Sequence, residues 1–336
     1  MPKKTTEQYK EILHKYMDSQ NEQDLYVGQK FSREFIEKEI SPEDVIGIHK
    51  ASLQEMLPDA PSALWHSFDF LIEVMIHYGL ALQEHQSLIR KQEELDIEMK
   101  IAAQVQNTLL KTKVPHYLGL DVGYVSVPAK QMSGDYIYFM NKDEDHISVA
   151  IADVIGKGIP AALCMSIIKL GMDRLRHSHV NPGSVLEVIN RQVEENIDDS
   201  MFISMFYGEY SEINSVFTYA SAGHEPALHY CHKEKKFYEL DADGLLLGVQ
   251  NGVMYEERSV ILKEGDFIVM MTDGVTETKT ETGFISELVI QELLLEMKDD
   301  SAQQMVDVVY ERLLEMQEFT LHDDFTIVIL KKEVSS

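Results

Sequence analysis

The sequence predicts an α+β protein: an all-helical first third, then antiparallel sheets with helices set between groups of strands. Three observations carry this. The first roughly 80 residues space their apolar side chains by three and four. After Pro115 the spacing changes to alternation in short runs broken by turn residues. The strands come in hairpin-like groups followed by helices, without the regular βαβ alternation of a dinucleotide fold. A chain of 336 residues exceeds what one core usually fills. The expected organisation is a helical domain over 1–82, a helical linker over 83–115 and a larger α+β domain over 116–336.

In the first part, Tyr9, Ile12, Leu13, Tyr16 and Met17 form one apolar face, and Phe31, Phe35, Ile36 and Ile40 another. Ser41-Pro42-Glu43-Asp44 has the chemistry of a helix start, with a capping hydroxyl, proline in the first turn and acids after it. Pro58-Asp59-Ala60-Pro61-Ser62 is a break, and a long apolar helix follows from about Ala63 through Leu82, interrupted by Gly79 at modest cost. Between Leu82 and Leu110 there is no Gly or Pro. Leu88, Leu95, Met99, Ala102 and Leu109 fall on a coiled-coil seam, weakened where Gln92 and Gln106 complete it, and Ile97, Ile101 and Val105 form a second face. Such a segment is either a plain helix packed on its own domain or a dimerising linker with two packing states.

Strands are expected at Leu120–Val127, Tyr136–Phe139 and Ile147–Ala152, the last two joined by a turn over 141–145. Two helices follow, near Ile159–His177 and Pro182–Asn196, and then strands between Met201 and Met271. Helices near Ile285–Glu296 and Ser301–Glu318 precede a last strand, Phe325–Leu330.

The composition excludes several classes of function. A formal net charge of -27 repels phosphate backbones and anionic lipid, so no nucleic acid and no membrane partner is expected. No run approaches the roughly 18 apolar residues of a membrane helix. The start, Met1-Pro2-Lys3-Lys4-Thr5-Thr6-Glu7, lacks the apolar core of a secretory signal. Two cysteines, Cys164 and Cys231, stand in no metal-type spacing, which fits a reduced cytoplasmic setting.

The chemistry lies in four segments that set an aspartate beside glycine, a polar residue or another acid. They are Ser133-Gly134-Asp135-Tyr136, Ala152-Asp153-Val154-Ile155-Gly156-Lys157-Gly158, Thr272-Asp273-Gly274-Val275-Thr276-Glu277 and His322-Asp323-Asp324-Phe325-Thr326. Asp153 is expected to close one strand and Asp273 another, and Asp323 to open the last; strand ends are where distant sequence converges. Singly, each acid reads as a turn residue, a loop cap or a surface charge. Gathered in one pocket, they cannot all ionise without a cation among them, and hard oxygen ligands suit Mg²⁺ or Mn²⁺. Two such ions can activate water and clamp a phosphoryl group.

With Ser221-Ala222-Gly223-His224-Glu225-Pro226 added, these motifs stand in the order of a known family. The segment from about Leu120 to Lys332 resembles the bacterial PPM serine/threonine phosphatases of the SpoIIE type, and the helical first third resembles the activator-binding domain of family members that switch on the general stress sigma factor. The resemblance implies a sandwich of two antiparallel sheets flanked by helices and a phosphatase holding two ions, Mn²⁺ or Mg²⁺. Asp153 would bridge both ions and the Val154 carbonyl would serve one of them. Asp273 and Asp323 would hold the other, and Asp135 would bind directly or through water. Asp324 stands where the eukaryotic branch usually has Asn, so 323 and 324 compete for the ligand role. The arginine that grips phosphate in that branch is not placed in this sequence. The helix after Gly158 would be a regulatory element. The substrate would be a phosphorylated anti-anti-sigma factor, a small STAS domain; a kinase-like activator would bind the N-terminal domain of a homodimer joined through that domain and the linker.

His224 is either a general acid for the leaving serine oxygen or a residue that orders a loop. Lys157 lacks the remaining spacing of a phosphate-binding loop. Cys164 reads as helix core. The competing functions are a catalytically weak sensor or adaptor of partner-switching signalling, whose mark would be a missing metal acid, and a metal-dependent nucleotidase, which would want a nucleotide-phosphate loop.

Overall fold

The computed structural model describes residues 3–334 apart from 39, 115, 116, 118, 144, 157, 177, 179, 198–200, 281 and 282. Lys157 and part of the 141–145 turn therefore lie outside the described residues. The chain divides into two compact units, 1–96 and 97–336.

The first unit holds α1 (Lys3–Ser19), α2 (Glu22–Glu37), α3 (Pro42–Met56) and the start of α4 (Ser62–Leu109). Local chemistry sets the starts: Asn21 caps α2, and the Ser41 hydroxyl caps α3 by accepting from the Asp44 N–H. Proline after Ser41 fixes the first turn of α3. Phe31, Phe35 and Ile48 are buried with Tyr9, Ile12, Ile40 and Val45 around them. Met17 and Ile36, expected on the same faces, are exposed. Leu25, Tyr26, Phe70 and Tyr78 are exposed as well. Gly79 does not interrupt α4, which runs unbroken for 48 residues.

The second unit is a four-layer sandwich. Its strands are β1 (Leu120–Val127), β2 (Asp135–Asn141), β3 (His146–Val154), β4 (Ile203–Ser211), β5 (Val216–Ala222), β6 (Ala227–Cys231), β7 (Lys236–Leu240), β8 (Arg258–Ile261), β9 (Phe267–Met271), a small hairpin of β10 (Lys279–Thr280) with β11 (Gly283–Phe284), and β12 (Phe325–Lys332). Its helices are α5 (Ile159–Leu175), α6 (Pro182–Asn196), the single turn α7 (Asp273–Thr276), α8 (Glu287–Glu296) and α9 (Ala302–Met316). One sheet runs β2-β3-β4-β5-β8 and the other β1-β12-β9-β6-β7, with antiparallel neighbours throughout.

Alternation along the strands builds three apolar layers. Ile137, Phe139, Ile151 and Phe206 face Ile268, Met270, Val328 and Leu330 between the sheets. Tyr136, Ala152, Met205 and Tyr207 face outward onto Met165, Ile168, Leu186 and Ile189 of α5 and α6. Phe267, Val269, Ile327 and Ile329 do the same onto Ile290, Leu294, Met305 and Val309 of α8 and α9. The α+β class and the two flanked antiparallel sheets are as the sequence predicts. Within this unit, Met99, Ala102 and Ala103 of α4 pack with Met132 and Ala162, whereas Ile97, Ile101 and Val105 are exposed.

Candidate active site

Strand register decides where the acids meet. Asp135 is the first residue of β2 and pairs with Asp153 of β3, which in turn pairs with Ser204 of β4. Ile137, Phe139 and Ile151 lie two or four residues away on the face between the sheets. Asp135, Asp153 and Ser204 therefore continue that face to the end of the sheet. Asp153 lies inside β3, not past its end as the alternation suggested; the ladder runs on to Val154, whose partner on β4 is Ile203.

The opposite sheet supplies the rest. Thr272 follows β9, and its hydroxyl donates to Asp135 Oδ2 at 2.8 Å. The hydroxyl is thus spent on Asp135 and leaves α7 without a side-chain cap. Asp273 is the first residue of α7, so it opens a helical turn as well as following a strand. Asp324 is buried, and both its oxygens accept backbone N–H bonds: Oδ1 from Ala129 at 2.8 Å and Oδ2 from Gly134 at 2.6 Å. Gly134 also accepts from the Val154 N–H at 3.1 Å, which joins the loop before Asp135 to the end of β3. Asp323 precedes β12 by two residues, is partly exposed, and accepts the Asp324 N–H at 2.9 Å. All six predicted site residues thus lie at one edge of the sandwich.

Gly274 is what lets α7 sit against the Asp323-Asp324 segment. A Cβ there would stand 2.0 Å from the Asp324 carbonyl oxygen, a backbone atom that cannot step aside. Gly274→Ala is expected to push Asp273 away from Asp323 and to cost about 2–4 kcal/mol. Urea unfolding of the variant measures this, and an unchanged midpoint would count against the packing described.

The electrostatics show what the cluster lacks. Burial, then the neighbouring Asp153 charge, raises the Asp135 carboxyl well above its ordinary range. Burial, then Asp273, Asp323 and Asp324, pushes Asp153 up to about 6. No basic side chain is among the main influences on either group. Among the described residues no three His, Cys, Asp or Glu side chains stand close enough to form a ready-made cage. The donor set nevertheless fits a divalent ion: hard carboxylate oxygens at a partly open edge, each repelling the others in the absence of positive charge.

These observations set the chain beside known proteins. Over 328 residues it is 52% identical to phosphoserine phosphatase RsbU of Bacillus subtilis strain 168, covering 98% of both chains. The chain belongs to the SpoIIE family of protein phosphatases. The family model described as Stage II sporulation protein E (SpoIIE) matches residues 143–333, and that of the phosphoserine phosphatase RsbU N-terminal domain matches residues 7–81. Solved structures support the fold. The SiaA-PP2C domain of Pseudomonas aeruginosa aligns with a TM-score of 0.62 at 16% identity, over 72% of this chain and 98% of that one. The PP2C phosphatase domain of SpoIIE from Bacillus subtilis, with a fragment of its regulatory domain, aligns at 0.57 and 20% identity, over 65% and 64%.

In this SpoIIE-family chain the motif histidine is tied into the fold by its neighbours. His224 is buried, its Nδ1 hydrogen-bonds with Ser204 Oγ at 2.8 Å, and burial lowers it to about 4. Its neutral ring orders the loop. Sequence reasoning missed Gln106, which entered as a flaw in a coiled-coil seam. Its buried amide donates through Nε2 to the Ser133 carbonyl at 2.8 Å and accepts the Ser133 N–H through Oε1 at 3.3 Å. The end of α4 is thereby fastened two residues from Asp135. Heptad position explained the polar residue well enough, so nothing pointed onward to a backbone partner.

Proposed function

We propose that this chain is a metal-dependent phosphoserine or phosphothreonine protein phosphatase that acts in the cytoplasm on a phosphorylated anti-anti-sigma factor, a small STAS domain, and so activates the general stress sigma factor. One observation carries the metal-dependent chemistry: Asp153 is buried against the carboxylates of Asp273, Asp323 and Asp324, which oppose its ionisation, and its own charge opposes that of Asp135, a set that holds full charge only with cations among it. Asp153 would bridge two ions, Mn²⁺ or Mg²⁺, with the Val154 carbonyl serving one, and Asp273 and Asp323 the other. Asp135 would bind directly or through water. Asp324, with both oxygens engaged by backbone N–H groups, anchors the loop and leaves the ligand role to Asp323. When bound, the pair of ions supplies Lewis acidity and an activated water for in-line hydrolysis of the phosphate ester.

The chain's own groups hold and orient. Thr272 fixes Asp135 by its hydrogen bond. Asp153, Asp273 and Asp323 are partly exposed, which leaves the edge accessible to a phosphoserine on an extended segment. His224 stays neutral at pH 7 and takes no part in proton transfer.

Residues 1–82 would bind a kinase-like activator, 83–115 would link, and 116–336 would catalyse. The match of residues 7–81 to the RsbU N-terminal model supports the first assignment. Dimerisation through the N-terminal domain and α4 is supported by two exposed apolar faces of α4, one with Leu88 and Leu95 and the other with Ile97, Ile101 and Val105. Packing of the α4 end on Met132 and Ala162 supports a signal route from the linker to the catalytic edge and to α5.

The test is phosphate release from the phosphorylated STAS protein by the full chain, with and without activator and chelator. Metal-dependent release, stimulated by activator, is expected. Deletion of 1–82 should leave weak basal release that activator does not raise. A truncated chain that still responds would move the activator site elsewhere, and no release under any condition would contradict the function.

A further inference from the structure

Residues 223–226 carry the chain from the sheet that holds Asp135 and Asp153 to the sheet that leads into Asp273. Two consecutive side chains of this crossover reach opposite ways. His224 Nδ1 hydrogen-bonds with Ser204 Oγ at 2.8 Å, and Ser204 is the strand partner of Asp153. Both carboxylate oxygens of Glu225 accept from Thr276 Oγ1 at 2.9 Å, and Thr276 closes the turn that Asp273 opens. The crossover is itself stiff. Gly223 takes φ +64, which glycine adopts without strain. The Ser221 hydroxyl accepts the His224 N–H at 3.2 Å and donates to the His224 carbonyl at 3.3 Å.

Glu225 is a costly residue to place here. It is partly buried beside Asp273, Glu277 and Glu287, all of which oppose its charge, and the Thr276 hydrogen bond offsets that opposition. An apolar side chain would fill the same space without repulsion, but only a side-chain oxygen can accept the Thr276 hydroxyl that ties the crossover to the Asp273 turn.

We propose that His224 and Glu225 form a brace across the edge of the sandwich, holding the Asp153 strand and the Asp273 turn at the separation that a shared pair of cations requires. Both are positioning residues and touch neither substrate nor metal. The need is physical: ligands of divalent ions must lie within a few tenths of an ångström of their ideal distances, and Mg²⁺ tolerates little distortion. Two sheets joined mainly by apolar contact do not set an edge to that tolerance by themselves, whereas hydrogen bonds aimed at each half do. The inference rests on the metal-site reading above.

The experiment is calorimetric titration of the full chain with Mn²⁺, together with steady-state hydrolysis of a phosphoserine peptide and thermal melts. Thr276→Val removes the hydroxyl while keeping the shape; it is expected to weaken Mn²⁺ binding by about tenfold, the lower end of what supporting partners of metal ligands cost. It should lower kcat with KM unchanged. Thr276→Ser and Glu225→Gln keep a donor and an acceptor and should stay near wild type. Ser204→Ala loosens the other end and should weaken Mn²⁺ in the same direction, which keeps the test decisive if Thr276→Val does not fold. Wild-type affinity in Thr276→Val or Ser204→Ala overturns the brace, as does an equal loss in Thr276→Ser and Glu225→Gln. A wild-type chain that takes up no Mn²⁺ overturns the metal centre itself, and the brace with it.

Discussion

Asp153→Asn lowers phosphate release by about three orders of magnitude or more, yet leaves the metal-free chain at least as stable as wild type at neutral pH. The two halves of this expected result have one cause. Asp153 is largely buried and faces Asp273, Asp323 and Asp324, which push its carboxyl from 3.8 to about 6. A group whose folded pKa is raised binds its proton more tightly in the native state than in the unfolded chain. For an acid, that makes the native state most stable below about pH 4, where both states are protonated. Stability then falls as pH rises from about 4 to about 6, and levels off above. A shift of this size corresponds to about 3 kcal/mol. The amide removes the share of the dependence that belongs to Asp153, along with the bridging ligand, while the buried Asp135 keeps its own. Calorimetric melts in chelator across pH 4–8 measure it. A wild-type chain that gains stability through that window, or an Asp153→Asn variant with full turnover, would contradict the electrostatics described.

Asp323 and Asp324 are adjacent and chemically identical, and their variants are expected to fail differently. Asp324→Ala strips the acceptors from the Ala129 and Gly134 N–H groups, both bonds to a carboxylate. Hydrogen bonds to charged groups are worth about 1.5–3 kcal/mol each, and a donor left buried adds its own penalty. The variant should lose about 3–5 kcal/mol, seen as a lowered urea midpoint, with the Asp135 loop no longer held. Asp323→Asn keeps an oxygen for the Asp324 N–H. It should melt with the wild type and lose affinity for Mn²⁺. Matching losses of stability in both variants, or intact Mn²⁺ binding in Asp323→Asn, would mean that the two residues do not divide the work in this way.

The sandwich and its site were legible to different depths for physical reasons. Alternation in Leu120–Val127 and Ile147–Ala152 reports burial on one or both faces, and that burial is what makes the two sheets. The motif aspartates could be read jointly because glycines beside them mark close approach, and Gly274 meets the Asp324 carbonyl as such a residue must. Register across strands is not written in any one segment, so the direct pairing of Asp135 with Asp153 and of Asp153 with Ser204 appears only in the fold. Cross-sheet partners were hidden for the same reason. Thr272 and Gln106 lie 137 and 27 residues from the groups they bind, and a threonine in a turn or a glutamine on a helix has bland uses that the sequence cannot separate. Asp324 looked like a second ligand candidate because composition shows a carboxylate without showing what its oxygens already accept.

Anomalous diffraction at the manganese edge, from crystals of the full chain grown with Mn²⁺, tests the central claim most directly. The account predicts two peaks enclosed by the carboxylates of Asp135, Asp153, Asp273 and Asp323, with Asp324 turned away to its backbone donors. Peaks lying elsewhere, or none at the sandwich edge, would contradict it.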